Sequence, residues 1–462
     1  MGGVDLIVRG GRVVCDTGEM EADLYVAGGR IVAVGQLDVP AREVVDAGGL
    51  LVFPGFVDAH VHFMDPGDPS REDFPTGSSA AAVAGVTTVI EHTHASPVHT
   101  GSQLQEKARY LRGRSVIDFA CAAHFSPGGP DDVADVWRAG AACIKVFTCT
   151  THGIRAVEPG PLLEAMRRLQ PRGATFLVHA EDEAITRWAE QALRAARRDD
   201  GGVIPEWRHP VAERVAVSAV GWLAEASGAR VVVAHCSHPE VVDTIAAFRA
   251  RGARMWAETC PQYLLLREDE AVQLGAFRKF TPPARARSEA DLERMWQLVR
   301  DGQIAYVASD HAPATRAQKR EGSIWDVHFG LPGIDTTSAL LIDAALEGRI
   351  SPTRLAELYA AAPARLYGLY PRKGTLRPGS DADLVLVDPS ARRVLRDEDV
   401  LSRAGWTPYH GRLVKGAVVA TYLRGRKVAE GGRPNAPPGT GEWIPGPGAR
   451  ARGEVDDGGR PR

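Results

Sequence analysis

The sequence lacks the features of membrane-spanning proteins and of secreted, disulfide-rich proteins. No run of about 20 apolar residues occurs in the chain, so we expect no membrane-spanning helix. Asp5 and Arg9 interrupt the short apolar stretch near the first residue, which is not the pattern of a secretory signal peptide. The six cysteines are scattered and show no CxxC spacing, which predicts reduced thiols and a cytoplasmic location.

The sequence also lacks an excess of basic or acidic side chains. The 55 basic and 58 acidic side chains leave a net charge of −3, so the sequence predicts no nucleic-acid partner and no membrane partner. Hydrophobic residues make up 44% of the chain and charged residues 24%, which is an ordinary globular balance. A length of 462 residues suits one large domain together with a smaller one.

The two ends of the chain share a pattern that the middle does not have. Residues 4–53 and 383–423 consist of short apolar runs separated by turns that contain glycine or proline. We therefore predict one small β domain formed by 1–53 together with 368–431. The stretch 432–462 is rich in Gly, Pro and Arg, which predicts a flexible tail.

The middle of the chain, residues 54–367, alternates strand signals with helix signals. Apolar, β-rich runs occur at 51–57, 86–90, 115–121, 142–147, 175–178, 230–234, 255–257 and 304–308. Eight such runs alternating with helices predict a parallel (β/α)8 barrel. Chemistry in this fold lies at the C-terminal ends of the strands, so the polar residues that follow the runs should form one site.

The first barrel run leads into the sequence GFVDAHVH at residues 55–62. His60 and His62 are two residues apart, so on a strand both point to one face, here the barrel interior. Two imidazoles that converge there can hold a divalent cation. Taken alone, the motif fits two ordinary buried histidines equally well.

A lysine lies inside the fourth run, IKVF at residues 144–147. Burial of Lys145 would favour its neutral amine, which can react with carbon dioxide. The resulting carbamate is an anion with two oxygens that can bridge two metal ions. A lysine paired with a carboxylate is the alternative for this residue taken alone.

Three more polar residues follow later runs. His179 and His235 end the fifth and sixth runs, and Asp310 follows the eighth. With the three residues above they supply four imidazoles and two groups that can be anionic, which is the set that two divalent cations require. The predicted metal ligands are therefore His60, His62, Lys145, His179, His235 and Asp310.

The ordered set GFVDAHVH, IKVF, LVHAED, VAHCS and SDHAP resembles the cyclic amidohydrolases, which include hydantoinases, dihydropyrimidinases, allantoinases and dihydroorotases. The resemblance extends to about residue 430. It implies a TIM-like (β/α)8 barrel beside a small β-sandwich, and two metal ions, commonly zinc, bridged by carboxylated Lys145. It also implies a homo-dimer or homo-tetramer that opens a cyclic amide with an activated water, with Asp310 as general base and then general acid.

The substrate is predicted less directly. The four positions with which dihydroorotases bind their substrate are occupied here by Met64, His94, Thr281 and Ala314, which argues against dihydroorotate. We therefore expect an allantoinase-like or hydantoinase-like enzyme, with allantoin as the best single candidate. A dihydroorotase or another cyclic imide or lactam hydrolase remains an alternative, as does a non-catalytic metal-binding scaffold. The predicted substrate contacts are Met64, His94, Thr150, Thr281 and His328.

Overall fold

The computed structural model describes residues 3–125 and 130–450. Within these ranges no helix is both long enough and apolar enough to cross a membrane.

The strands of the described chain, in order, are β1 (Val4–Cys15), β2 (Gly18–Ala27), β3 (Arg30–Gly35), β4 (Ala41–Asp46), β5 (Leu51–Pro54), β6 (Phe56–Val61), β7 (Val86–Glu91), β8 (Asp118–Cys121), β9 (Ala123–His124), β10 (Ile144–Phe147), β11 (Thr175–His179), β12 (Arg230–Val233), β13 (Met255–Thr259), β14 (Ile304–Val307), β15 (Leu384–Val394), β16 (Leu413–Leu423), β17 (Arg426–Glu430) and β18 (Arg433–Pro434).

The α-helices are α1 (Phe74–Val83), α2 (Gly101–Arg112), α3 (Pro130–Ala139), α4 (Pro159–Leu169), α5 (Glu183–Ala195), α6 (Val203–Trp207), α7 (Pro210–Ser227), α8 (Pro239–Ala250), α9 (Pro261–Leu265), α10 (Asp269–Leu274), α11 (Glu289–Arg300), α12 (Arg316–Arg320), α13 (Thr337–Leu346), α14 (Pro352–Ala356), α15 (Ala362–Leu366) and α16 (Pro447–Arg450). A π-helical turn, Glu357–Ala361, joins α14 to α15.

Local sequence signals explain several of these bounds. Helix α2 begins after Thr100, whose hydroxyl accepts the Gln103 amide while the Gln103 side chain accepts the Thr100 amide, as in a capping box. Helix α7 begins with Pro210 at its first turn and ends at Gly228, whose φ of 66° is in the left-handed region.

Both ends of the chain form one β domain. Its nine strands follow the hydrogen-bonded order β18-β17-β16-β15-β5-β1-β2-β3, with β4 paired to β1. The two chain ends meet where β5 pairs antiparallel with β15, for example Val52 opposite Leu386. Leu6, Leu24 and Tyr422, from three different strands, pack in its core. The prediction of one β domain built from both ends is confirmed.

The barrel contains eight parallel strand positions, β6, β7, β8 with β9, and β10 to β14. Val61 of β6 bridges to His311, which follows β14, so the barrel closes. Its strands have helices on one side and the barrel core on the other, which explains why they are continuous apolar runs. The predicted (β/α)8 barrel is confirmed.

The first predicted run, 51–57, combines two strands of different domains. Gly55 separates β5 of the β domain from β6 of the barrel. A Cβ atom on Gly55 would lie 2.1 Å from Thr87 Oγ1 and 2.7 Å from Asp383 Cβ. The closeness of the two domains therefore requires glycine at this position.

The prediction of a flexible tail from residue 432 is wrong for the described part of that stretch. Ile444 is buried, and its amide donates to the Phe119 carbonyl at 2.7 Å. Gly441 packs so closely that a Cβ there would lie 1.8 Å from a carbonyl oxygen just before β8. Only a residue without a side chain allows this close backbone approach. The same richness in Gly and Pro is typical of linkers, which is why the composition alone was misleading. Residues 451–462 lie outside the described residues.

A buried ion cluster lies between the two domains. Lys373 Nζ is 2.5 Å from Asp118 at the start of β8 and 2.7 Å from Asp383 just before β15. Asp381 is 3.0 Å from the same ammonium group, and Arg424 also pairs with Asp118. Burial opposes the charge of Lys373, but the attraction of the carboxylates outweighs it and raises its pKa.

We expect Lys373→Met to lower the free energy of unfolding by about 3–5 kcal/mol, because buried carboxylates lose their cation. Urea unfolding measures the change. Lys415→Met is the matched control, since Lys415 forms its ion pair with Glu347 near the surface and should lose less than about 1 kcal/mol. Equal losses in the two variants would show that the cluster does not stabilise the domain contact.

Candidate active site

The structure brings the six predicted metal ligands to one place. They line a narrow inner cavity at the C-terminal ends of the barrel strands. The residues are His60 of β6, His62 directly after it, Lys145 of β10, His179 at the end of β11, His235 after β12 and Asp310 after β14.

Barrel closure places Asp310 beside the first two histidines. The Asp310 Oδ1 atom is 3.2 Å from His62 Nε2 and 3.5 Å from His60 Nε2. Asp310 has a φ of 47° and His235 a φ of 39°. Such left-handed backbone is costly for a residue other than glycine and occurs often at functional sites.

Lys145 is buried among the predicted ligands, with an exposure of 1%. Its Nζ atom lies 2.9 Å from His60 Nε2. Burial lowers the pKa of Lys145, although Glu258 and Asp310 oppose the shift. The neutral amine is therefore favoured more than in an exposed lysine, and the neutral amine is the form that reacts with carbon dioxide.

The other two histidines, His179 and His235, face each other across the cavity. His179 Nδ1 lies 3.0 Å from His235 Nε2. The ring centroids of His60 and His235 are 5.7 Å apart, so the two histidine pairs are adjacent. Burial lowers the pKa of His60, His179 and His235, so all three are neutral near pH 7 and can donate lone pairs.

Hydrogen bonds on the far side of three of the four rings fix which nitrogen faces the cavity. His60 Nδ1 donates to Glu258 Oε1 at 2.7 Å, and His62 Nδ1 donates to the His92 carbonyl at 2.7 Å. His179 Nε2 donates to Glu181 Oε2 at 2.8 Å. Each of these bonds leaves the opposite nitrogen unprotonated toward the cavity, as in histidines that bind metals.

Sequence analysis missed the two carboxylates in this arrangement. Glu258 lies within β13, and burial raises its pKa to about 8. For Glu181 burial also acts to raise the pKa, but Arg208 and His179 outweigh it and lower the pKa to about 2. A glutamate inside an apolar strand was the available signal for Glu258, because an unpaired buried carboxylate is costly.

These donors fit divalent cations. One ligand atom from each of His60, His62 and Asp310 lies within 4.8 Å of the others. Unprotonated imidazole nitrogens with a carboxylate form a mixed nitrogen and oxygen set, which suits zinc and other first-row divalent metals.

Two of the predicted substrate contacts line the inner cavity. His94 and Thr281 belong to its wall. Neither ring nitrogen of His94 has a hydrogen-bond partner within the described part of the chain. The Thr281 hydroxyl donates to Glu181 Oε2 at 2.5 Å. His328 lies farther out, in an adjoining outer pocket whose wall includes Arg71, His94, His152, Lys279, His328 and Phe329.

Two of the predicted substrate contacts, Met64 and Thr150, do not line the inner cavity. Met64 is buried and does not line the cavity; its φ of 58° turns the chain directly after β6. Thr150 is exposed, and its hydroxyl donates to Glu183 Oε1 at 3.0 Å. His152, two residues later and with a φ of 53°, lines the cavity instead. Residue type alone does not show which side chain of a loop faces inward.

We expect Glu258→Gln to weaken binding of the metal about 10- to 100-fold, because the carboxylate that orients His60 is lost. Competition with a chelating dye, using zinc, measures the affinity. Glu213→Gln is the matched control: Glu213 is equally buried but bonds to Ser237 away from the cavity. The same loss in both variants would contradict a specific role for Glu258.

Proteins of known family resemble this chain over almost its whole length. Residues 51–428 match the model of the amidohydrolase family. An allantoinase of Rubrobacter xylanophilus is 40% identical over 94% of this chain and 96% of its own length. A dihydroorotase of Halobacterium salinarum is 36% identical over 92% and 96%. The solved L-hydantoinase from Arthrobacter aurescens superposes with a TM-score of 0.91 at 32% identity, covering 96% of this chain and 100% of its own. The chain therefore belongs to the amidohydrolase family.

Proposed function

We propose that this protein opens the ring of a cyclic amide or ureide by hydrolysis. The observation that carries the proposal is the complete set of six candidate ligands around one cavity at the barrel mouth. The similarity to an allantoinase supports allantoin as the first ring to test. A non-catalytic scaffold would need neither a buried lysine nor an aspartate beside two histidines.

The six residues would hold two divalent metal ions, with zinc as the first candidate. Bound there, two such cations polarise a carbonyl group and lower the pKa of a water molecule. Lys145 would act as a carbamate, formed when its neutral amine bonds to carbon dioxide and loses a proton. The carbamate supplies a second anion beside Asp310, and this charge offsets the repulsion between two cations.

Asp310 is the proposed general base and acid. Its carboxylate is held by its position beside His60 and His62, and its side chain retains 15% exposure toward the cavity. It can accept the proton of the attacking water and then deliver that proton to the ring nitrogen that leaves.

Neutral polar groups would orient the ring. His94 and His152 stack with ring centroids 4.1 Å apart, and burial lowers the pKa of both imidazoles. A neutral imidazole can both donate and accept, which suits the alternating N–H and C=O groups of an imide or ureide. Thr281 completes this wall of the cavity.

The family resemblance further favours a homo-dimer or homo-tetramer, and the scattered, unpaired cysteines favour a cytoplasmic location. Analytical ultracentrifugation measures the oligomeric state.

We expect the protein, loaded with zinc in bicarbonate buffer, to open at least one ring among allantoin, hydantoin, dihydrouracil and simple cyclic imides. Asp310→Asn should reduce kcat about 10²- to 10⁴-fold, because the group that transfers the proton is lost. Lys427→Ala, at a partly exposed lysine of the β domain that pairs with Glu430, should keep full activity. If Asp310→Asn retains the activity, the proposed proton route is wrong; efficient opening of dihydroorotate would contradict the prediction against that substrate.

Lys145→Ala should bind fewer metal ions per chain than the unchanged protein, because the bridging anion is missing. Elemental analysis after dialysis gives the stoichiometry. In ¹³C-labelled bicarbonate the unchanged protein should show a carbamate carbon resonance that Lys145→Ala lacks. Full metal content without that resonance would show that Lys145 is not carboxylated.

A further inference from the structure

Three buried basic side chains lie at the outer pocket, next to the proposed catalytic centre. Lys279, Lys319 and Arg71 are 1%, 1% and 6% exposed. Arg71 and Lys279 line the pocket wall directly, and Lys319 lies behind it, bonded to the Lys279 and His328 carbonyls.

All three side chains bond to backbone carbonyls. Lys279 Nζ donates to the carbonyls of Trp325 and Val327 at 3.2 and 2.5 Å. Arg71 Nε donates to the Pro313 carbonyl at 2.9 Å, and its Nη2 reaches the Phe329 carbonyl at 3.5 Å. These bonds hold the loop after β14 in place, but carbonyl oxygens do not neutralise a positive charge.

An ion pair is missing from this group. Within residues 3–125 and 130–450, no carboxylate oxygen lies within 4.0 Å of the charged nitrogens of Arg71, Lys279 or Lys319. Asp68 and Asp326, at the pocket rim, are the acidic residues of its wall. Two other buried cations of the described chain do have carboxylate partners: Lys373 pairs with three aspartates, and Arg208 pairs with Glu181.

The missing partner has an electrostatic consequence. Burial lowers the pKa of Lys279 to about 7 and that of Arg71 to about 10, although Asp326 and Asp68, beyond ion-pair distance, oppose the two shifts. Burial also lowers the pKa of Lys319 well below its ordinary value, and the charges of Arg71 and Lys279 add to the effect. An anion bound in the pocket would raise these pKa values again, because it stabilises the charged forms that burial disfavours.

The outer pocket adjoins the inner cavity. His94 and His152 belong to the walls of both. A substituent on a ring bound in the inner cavity would have to pass the stacked His94 and His152 to reach the outer pocket.

We propose that the outer pocket binds a carboxylate on the substituent of the cyclic substrate, with Arg71 as the residue that selects for it. The inference rests on the proposed function and narrows it to rings that carry an acidic arm. The guanidinium of Arg71 matches the planar geometry of a carboxylate. The neutral ureido arm of allantoin would leave the Arg71 guanidinium without a carboxylate partner.

Two matched substrates test the proposal: hydantoin with a 5-(2-carboxyethyl) arm and hydantoin with a 5-(2-carbamoylethyl) arm. The arms have nearly the same shape and differ in charge. We expect kcat/KM of the zinc-loaded protein to be about 10- to 100-fold higher for the acid, the range given by a hydrogen bond to a charged group. Arg71→Gln should remove this preference. Arg316→Gln, at an exposed arginine paired with Asp397, should keep it.

A binding measurement provides a readout that does not depend on turnover. The opened products of the two rings are N-carbamoylglutamate and N-carbamoylglutamine. In calorimetry with zinc-loaded Asp310→Asn protein, the dianion should bind about 10-fold more tightly than the amide. Adding Arg71→Gln should abolish the difference.

The outcomes separate the two proposals. Equal kcat/KM for both arms overturns the carboxylate site and leaves ring hydrolysis in place. A parallel fall for both substrates in Arg71→Gln shows that Arg71 only supports the loop, which also overturns it. If neither ring opens, the proposed hydrolysis of hydantoins is wrong. The calorimetric comparison of the two products then tests the carboxylate site without any turnover.

Discussion

The hydrogen bond that closes the barrel is the interaction on which the site depends. The His62 amide donates to the His311 carbonyl at 2.7 Å, joining the end of the first barrel strand to the segment after the last. This bond places Asp310 beside His60 and His62 although about 250 residues separate them in the chain. Closure also removes the exposed edges that an open sheet would have.

Burial sets the chemistry of the groups that closure brings together. Loss of hydration lowers the pKa of Lys145 and of the histidines that face it, so the cavity holds lone pairs in place of positive charge. The far-side bonds to Glu258 and Glu181 then fix the direction of two of those lone pairs. The same physical effect lowers the pKa of Arg71 and Lys279 in the outer pocket, where neither side chain has a carboxylate at ion-pair distance.

The β domain stabilises the barrel through a small number of polar and close-packed contacts. Lys373 binds carboxylates of both domains. Gly55, the residue between β5 and β6, allows Thr87 of the barrel and Asp383 of the β domain to approach the backbone closely. The segment after β18 adds a third contact, since Ile444 packs beside β8. The rigid barrel mouth that results can hold ligands in fixed geometry.

The sequence by itself determined the barrel, the β domain of both chain ends and the six candidate ligands, because strand periodicity and strand ends are local properties. His60 and His62 share a face whatever surrounds them. Tertiary structure alone decided that Glu258 orients His60, that His152 and not Thr150 faces the cavity, and that the stretch around Ile444 packs on the barrel. It also decided that Arg71 and Lys279, from two separate loops, line one pocket, with Lys319 of α12 behind its wall. Such contacts depend on loop direction and on packing between distant segments, and neither property is encoded in the residues of one segment.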